Sequence, residues 1–157
     1  MALLPIKTYP DPILKKKSEI ITNPKSPEIQ ALVFDMLETM DANNGLGLAA
    51  PQVGKSLRLC VIRIDAKTHI LINPKIVSKS TAKLIEEEGC LSFPGQFLPI
   101  KRAASVIVKT LDKNGKEKII RASGLFARAL QHEIDHLDGV VFLKRMVKEK
   151  IKEITKK

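Results

Sequence analysis

Hydrophobic positions along this chain follow two rhythms, each marking a different kind of element. Ile29, Leu32, Val33, Met36, Leu37 and Met40 recur at three- and four-residue spacing, the period of one helix face. Ser26-Pro27-Glu28 supplies the start signal: a Ser N-cap, a Pro in the first turn where its missing N–H is harmless, and an acid near the positive end of the dipole. Asn43-Asn44-Gly45 ends the helix. Its Met and aliphatic stripe is read as a buried face rather than a ligand groove. A second helix is expected from about Ser123 to Leu137, with Phe126, Leu130, Ile134 and Leu137 as its core stripe and Gly139 beyond its end.

Between the helices the rhythm shortens. Leu57 to Ile64, His69 to Asn73, Ser105 to Leu111 and Lys116 to Ile120 alternate or run apolar over short stretches, as strands do. Asp112-Lys113-Asn114-Gly115 reads as the hairpin turn joining the last two, and Asp65 to His69 as a short surface loop. Residues 1–26, with Pro5, Pro10, Pro12, Pro24 and a run of three lysines, read as an irregular arm over a domain surface. Residues 144–157 hold seven Lys or Arg against two Glu, with Val147, Ile151 and Ile154 at helical spacing, which predicts a basic amphipathic helix. Without repeats or linkers, the expectation is one α+β domain over residues 1–157.

Composition narrows this picture. A chain of 157 residues that is 44% hydrophobic can bury one real core. With five Phe, one Tyr and no Trp, that core rests on aliphatic side chains. The net charge of +10 favours polyanions or acidic surfaces as neighbours but names none, and gives no sign of sequence-specific nucleic-acid reading. The start of the chain has no sustained apolar run of the secretory kind, so Cys60 and Cys90 are expected to stay reduced in a cytoplasmic protein. No stretch reaches eighteen uninterrupted apolar residues, which argues against a membrane span.

The chemistry sits on the second helix. His132-Glu133-Ile134-Asp135-His136 puts two imidazoles one turn apart on one face, where both reach a single ion, with Glu133 beside them. Both histidines lie off the stripe expected to face the core. A catalytic ion takes three protein ligands and keeps a position for water, so a third group is required. The long-spacer zinc proteases would need a His where Phe142 stands. Glu149 and Glu153 alternate with lysines and read as a solvated face. Cys90, in Glu88-Gly89-Cys90-Leu91-Ser92, is the better candidate, since a thiolate suits Fe²⁺ or Zn²⁺ and Gly89 allows close backbone approach. Cys60, inside an apolar run, is assigned to packing, and His69 to a strand edge.

Three segments now stand in order: Gly45-Leu46-Gly47-Leu48-Ala49-Ala50-Pro51-Gln52, Glu88-Gly89-Cys90-Leu91-Ser92, and Gln131-His132-Glu133-Ile134-Asp135-His136-Leu137-Asp138-Gly139. Together they resemble the three signature motifs of the peptide deformylases. The resemblance implies antiparallel sheets packed around a central metal-binding helix. It implies hydrolysis of the N-formyl group from formyl-methionyl nascent polypeptides, releasing formate. It also implies metal ligation by Cys90, His132 and His136, proton transfer by Glu133, and oxyanion stabilisation by the Gln52 side chain and the Leu91 backbone N–H. Fe²⁺ is the working ion by this similarity, with Zn²⁺, Ni²⁺ or Co²⁺ accepted by the same donors. Gly45, Leu46 and Gly47 would line the substrate path. Leu125 and Ala129, seven and three residues before His132, would wall a methionine pocket. Arg128 is given no role beyond lending its stem to that pocket while its head reaches water. Some family members are similar in using a basic C-terminal extension to dock on the ribosome. Two rivals carry less: a protease on internal peptide bonds lacks a third His or Glu ligand, and a structural metal site would need a fourth ligand and leaves Glu133 without a task.

Overall fold

The computed structural model describes residues 3–145. Helix α1, Pro27–Ala42, begins as expected, with the Ser26 side chain accepting the N–H of Ile29, and gives way at Asn43. Helix α2 spans Gly124–Leu137. Seven strands lie between them: β1 (Gly47–Ala49), β2 (Leu59–Ile64), β3 (Lys67–Lys79), β4 (Lys83–Cys90), β5 (Phe93–Ala103), β6 (Ser105–Leu111) and β7 (Glu117–Ser123). They form a five-stranded antiparallel sheet in the order β1-β2-β3-β6-β7 and a separate β4-β5 hairpin.

Strand β2 shows why a strand here reads as a continuous apolar run. Leu59 and Val61 face a core shared with α1, whereas Cys60 and Ile62 face one shared with Leu130, Ile134 and Leu137 of α2. The sheet is thus covered on both faces. Burial pushes the Cys60 thiol well above its ordinary pKa, as expected of a packing cysteine. At the β6-β7 turn Asp112 accepts the N–H groups of Asn114 and Lys116. The β2-β3 connection is tight, with Asp65 and Ala66 both at positive φ.

Three expectations need correction. The β4-β5 hairpin is absent from the strands read in the sequence. The arm is not wholly irregular: Pro12–Lys15 form a 3-10 turn capped by Asp11, and Glu19 bridges Leu57 in parallel. Leu14 is fully buried with Phe93, Ile100, Val141 and Phe142 in a third core cluster. For the histidines, lying off the core-facing stripe does not mean lying outside the core either. The hairpin covers the side of α2 opposite the sheet, so His132 and His136 are buried as deeply as the aliphatic stripe.

The C-terminal end of α2 is held from several directions. The carbonyl of Leu137 accepts from the Ser18 N–H, the Ser18 hydroxyl and Arg58. Gly139 follows at φ +74, and a Cβ there would lie 2.5 Å from the Lys15 carbonyl oxygen, so both backbone conformation and space require glycine. The expected helix over 144–157 lies outside the described residues, apart from a 3-10 turn at Phe142–Arg145. No helix among the described residues is long and apolar enough to cross a membrane.

Candidate active site

The His132 and His136 rings come from one face of α2, and Cys90 ends β4 directly opposite. One ligand atom from each falls within 4.8 Å of the others, and Cys90 Sγ lies 3.3 Å from His136 Nε2. His132 Nδ1 is engaged by Glu88 Oε1 at 2.8 Å, which leaves its Nε2 for a ligand. One sulfur and two imidazole nitrogens at this spacing suit a borderline-soft divalent cation. Beside them Glu133 Oε1 is buried and has no hydrogen-bond partner among the described residues. The residues fit a single ion.

Burial dominates the electrostatics. It raises the Glu133 carboxyl to about 7, assisted by the charge of Glu88 and opposed by His132. It also drives His136 well below the ordinary imidazole pKa, so that ring is neutral and ready to ligate. Burial acts in the same sense on His132, but the acceptors Cys90 and Glu88 outweigh it and raise this ring to about 10 in the absence of a cation, which would displace the Nε2 proton on binding.

Gln52 stands in the turn after β1, and its orientation is fixed at both ends. Its Oε1 accepts the Ala49 N–H, so its NH₂ points at Ser92 Oγ, 3.1 Å away, and Cys90 Sγ, 3.5 Å away. Leu91 follows Cys90 in the two-residue turn between β4 and β5. Gly47 has a tighter role than lining a path: a Cβ there would sit 2.6 Å from Glu133 Oε2, so its bare backbone is what admits the carboxylate. At Gly45 an added Cβ would meet the Leu91 side chain at 2.9 Å.

A cavity of about 520 Å³ opens onto these groups. Gly45, Leu46, Gly47, Leu125 and Ala129 all line it, together with Gln52, Cys90, Leu91, His132 and Glu133. His136 lies behind its wall. The bulge Pro94-Gly95-Gln96 and Phe97 complete the rim, a contribution from the hairpin that the sequence reading did not include.

Arg128 corrects its expectation. Its head does not reach water: it donates to Glu88 Oε2 and to the carbonyls of Ile100 and Leu84, with only 6% of the residue exposed. Arg102 grips the same carboxylate through two bonds of 2.9 Å and extends to Asp135, which also receives Arg145. Burial alone would raise the pKa of Glu88, but bonds from His132 and Arg102 reverse this and hold it far below the usual carboxylate range. Glu88, Arg102 and Ser92 are thus site residues that sequence reasoning missed. For Glu88 the signal was its place directly before Gly89-Cys90, at the end of three consecutive glutamates; Arg102 carried none.

The polypeptide deformylase family model matches residues 3–152. The chain belongs to the peptide deformylase family. A peptide deformylase from Thermodesulfovibrio yellowstonii is 50% identical over 151 residues, covering 93% of this chain and 90% of that protein. The crystal structure of peptide deformylase from Ehrlichia chaffeensis in complex with actinonin superposes with a TM-score of 0.91 at 46% identity, covering 99% and 98% of the two chains. A class I type b peptide deformylase from Acinetobacter baumannii, solved with Met-Ala-Ser bound, gives 0.89 at 32% identity, covering 92% and 99%. The deformylase fold of sheets around a metal-binding helix is the architecture seen here. The family is metal-dependent, and Cys90, His132 and His136 form the matching donor cluster.

Proposed function

We propose that Cys90, His132 and His136 hold one divalent ion, that Glu133 transfers protons, and that Gln52 with the Leu91 backbone N–H stabilises the oxyanion during removal of the N-formyl group from nascent peptides. The observation that carries this assignment is the convergence of three donor atoms within 4.8 Å, with two of their residues, Cys90 and His132, lining the cavity that Gln52 and Glu133 also line. A bound ion supplies Lewis acidity to the formyl carbonyl and lowers the pKa of water towards neutrality.

The chain's own groups do the rest. Glu133, a buried carboxylate whose pKa burial raises, takes the proton of the attacking water and later delivers it to the amine nitrogen as the C–N bond breaks. Formate and a free methionyl amine leave. The tetrahedral anion between these steps is met by the Gln52 NH₂, already turned toward Cys90 by its bond to Ala49. Leu125 and Ala129 present an apolar wall for the methionine side chain, and Gly45, Leu46 and Gly47 border the peptide's path.

Fe²⁺ is the working ion in this reading, with Zn²⁺, Ni²⁺ or Co²⁺ held by the same soft and borderline donors. The site of action is the cytoplasm, and the basic segment 144–157 docks on the polyanionic ribosome where substrate emerges. Formate release from formyl-Met-Ala-Ser by anaerobically purified protein, with metal analysis of the same sample, tests the core of the proposal. One equivalent of iron and stoichiometric formate are expected. Casein cleavage without formate would overturn it in favour of a protease.

A further inference from the structure

The two groups assigned to the oxyanion come from separate elements. Gln52 belongs to the turn after β1, and Leu91 to the turn between β4 and β5, in the other sheet. The N-terminal arm touches both. The Lys7 N–H donates to the Gln52 carbonyl at 2.6 Å, and two residues later the Tyr9 N–H donates to the Ser92 carbonyl at 2.9 Å. The Tyr9 ring stacks on Phe93 with centroids 5.0 Å apart.

The arm is anchored on both sides of this contact. Upstream, the Leu4 N–H donates to Thr39 Oγ1 of α1. Downstream, Leu14 is fully buried, Ser18 binds the end of α2, and the Asn73 side chain makes both a donor and an acceptor bond to the Ile21 backbone. A segment fixed at both ends and bonded in the middle to two catalytic turns acts as a spacer between them.

We propose that residues 7–9 form a positioning strap, which sets the distance between Gln52 and the Leu91-Ser92 turn so that both donors meet one oxyanion. This rests on the assignment of Gln52 and Leu91 to the tetrahedral anion. The Lys7 and Tyr9 backbone bonds add main-chain ties to the Gln52-Ser92 side-chain bond and to the packing of Leu91 on the core that contains Ala50 and Val53. Neither strap residue touches the metal cluster or lines the cavity. The strap's effect therefore falls on kcat rather than on ion retention or KM, since small misplacement of a catalytic group lowers rate steeply.

A double-mutant cycle tests this. Lys7→Pro removes the N–H, and Lys7→Ala keeps it; each is made in the wild-type and Gln52→Ala backgrounds. In wild type, Lys7→Pro is expected to lower kcat roughly tenfold to a hundredfold, with KM and bound metal within twofold, and Lys7→Ala to restore wild-type kcat. In the Gln52→Ala background the Lys7→Pro loss should shrink below about threefold, because the positioned group is gone. Independently of turnover, the side-chain NH₂ resonances of Gln52, identified by their absence in Gln52→Ala, should shift in Lys7→Pro and not in Lys7→Ala. An equal Lys7→Pro loss in both backgrounds, or a Lys7→Pro enzyme indistinguishable from Lys7→Ala, overturns the strap alone. A Gln52→Ala enzyme with undiminished kcat overturns the oxyanion assignment beneath it.

Discussion

Gly47 and Gln52 show how single residues divide the work of the site. An alanine at position 47 would put its Cβ 2.6 Å from Glu133 Oε2, and the buried carboxylate would have to turn away. Gly47→Ala is therefore expected to lower kcat by roughly a hundredfold while the protein keeps its metal, because the ligands are untouched and only the proton carrier is displaced. Steady-state kinetics beside metal analysis checks this; a metal-free variant would contradict it. Gln52→Ala removes the side-chain donor aimed at the reacting centre and leaves only the Leu91 backbone N–H proposed beside it. A loss of about a hundredfold or more in kcat is expected, with little change in KM, since the interaction develops only as the anion forms. A change confined to KM would assign Gln52 to substrate binding instead.

At the scale of elements, the site depends on how the β4-β5 hairpin is fastened to α2. Glu88 from β4 accepts from His132 and Arg128 of α2 and from Arg102 of β5, so one buried carboxylate ties the hairpin to the helix and orients a metal ligand. Glu88→Gln keeps the shape but loses the charge that faces two buried guanidinium groups. Metal affinity should fall roughly tenfold to a hundredfold, as for other partners of ligating histidines, read by competition with a chelator. Unaltered affinity would reduce Glu88 to a packing residue. Helices and the inner strands of the five-stranded sheet are legible because their apolar positions repeat: the stretch Ser105–Leu111 coincides with β6 to the residue. The hairpin is not. Strand β4 carries three consecutive glutamates on a largely exposed ladder, and β5 holds two prolines and a glycine, so neither shows a strand's alternation.

For the whole molecule, charge sets two expectations. Folded Glu88 binds its proton less readily than it does in the unfolded chain, where its pKa is near 4.5. The folded state thus releases that proton more easily. The stabilisation is complete above about pH 4.5 and is lost as pH falls below it. In chelated protein, acid unfolding of Glu88→Gln should show a shallower dependence on pH in that range than wild type. Parallel curves would mean that Glu88 titrates alike in both states. Deleting residues 148–157 removes three lysines more than it removes glutamates. Ribosome cosedimentation should weaken and lose part of its salt dependence, while turnover of small formyl peptides persists. Undiminished cosedimentation would sink the docking proposal.

The sequence by itself determined the two helices, strands β2 and β6, parts of β3 and β7 with the β6-β7 hairpin turn, and the one-turn spacing of the two candidate histidines, because periodicity, capping and the His-x-x-x-His spacing are local properties. It also carried the three motifs that place the chain among the deformylases. Tertiary structure alone decided what surrounds those residues. Burial from two sides raises Glu133 to about 7. Arg128 turns inward to Glu88 because a hairpin covers its face of α2. Residues 7–9 bridge Gln52 and Ser92 through backbone groups that every sequence possesses. Each of these depends on segments distant along the chain, and a main-chain N–H leaves no mark in the residue type that carries it.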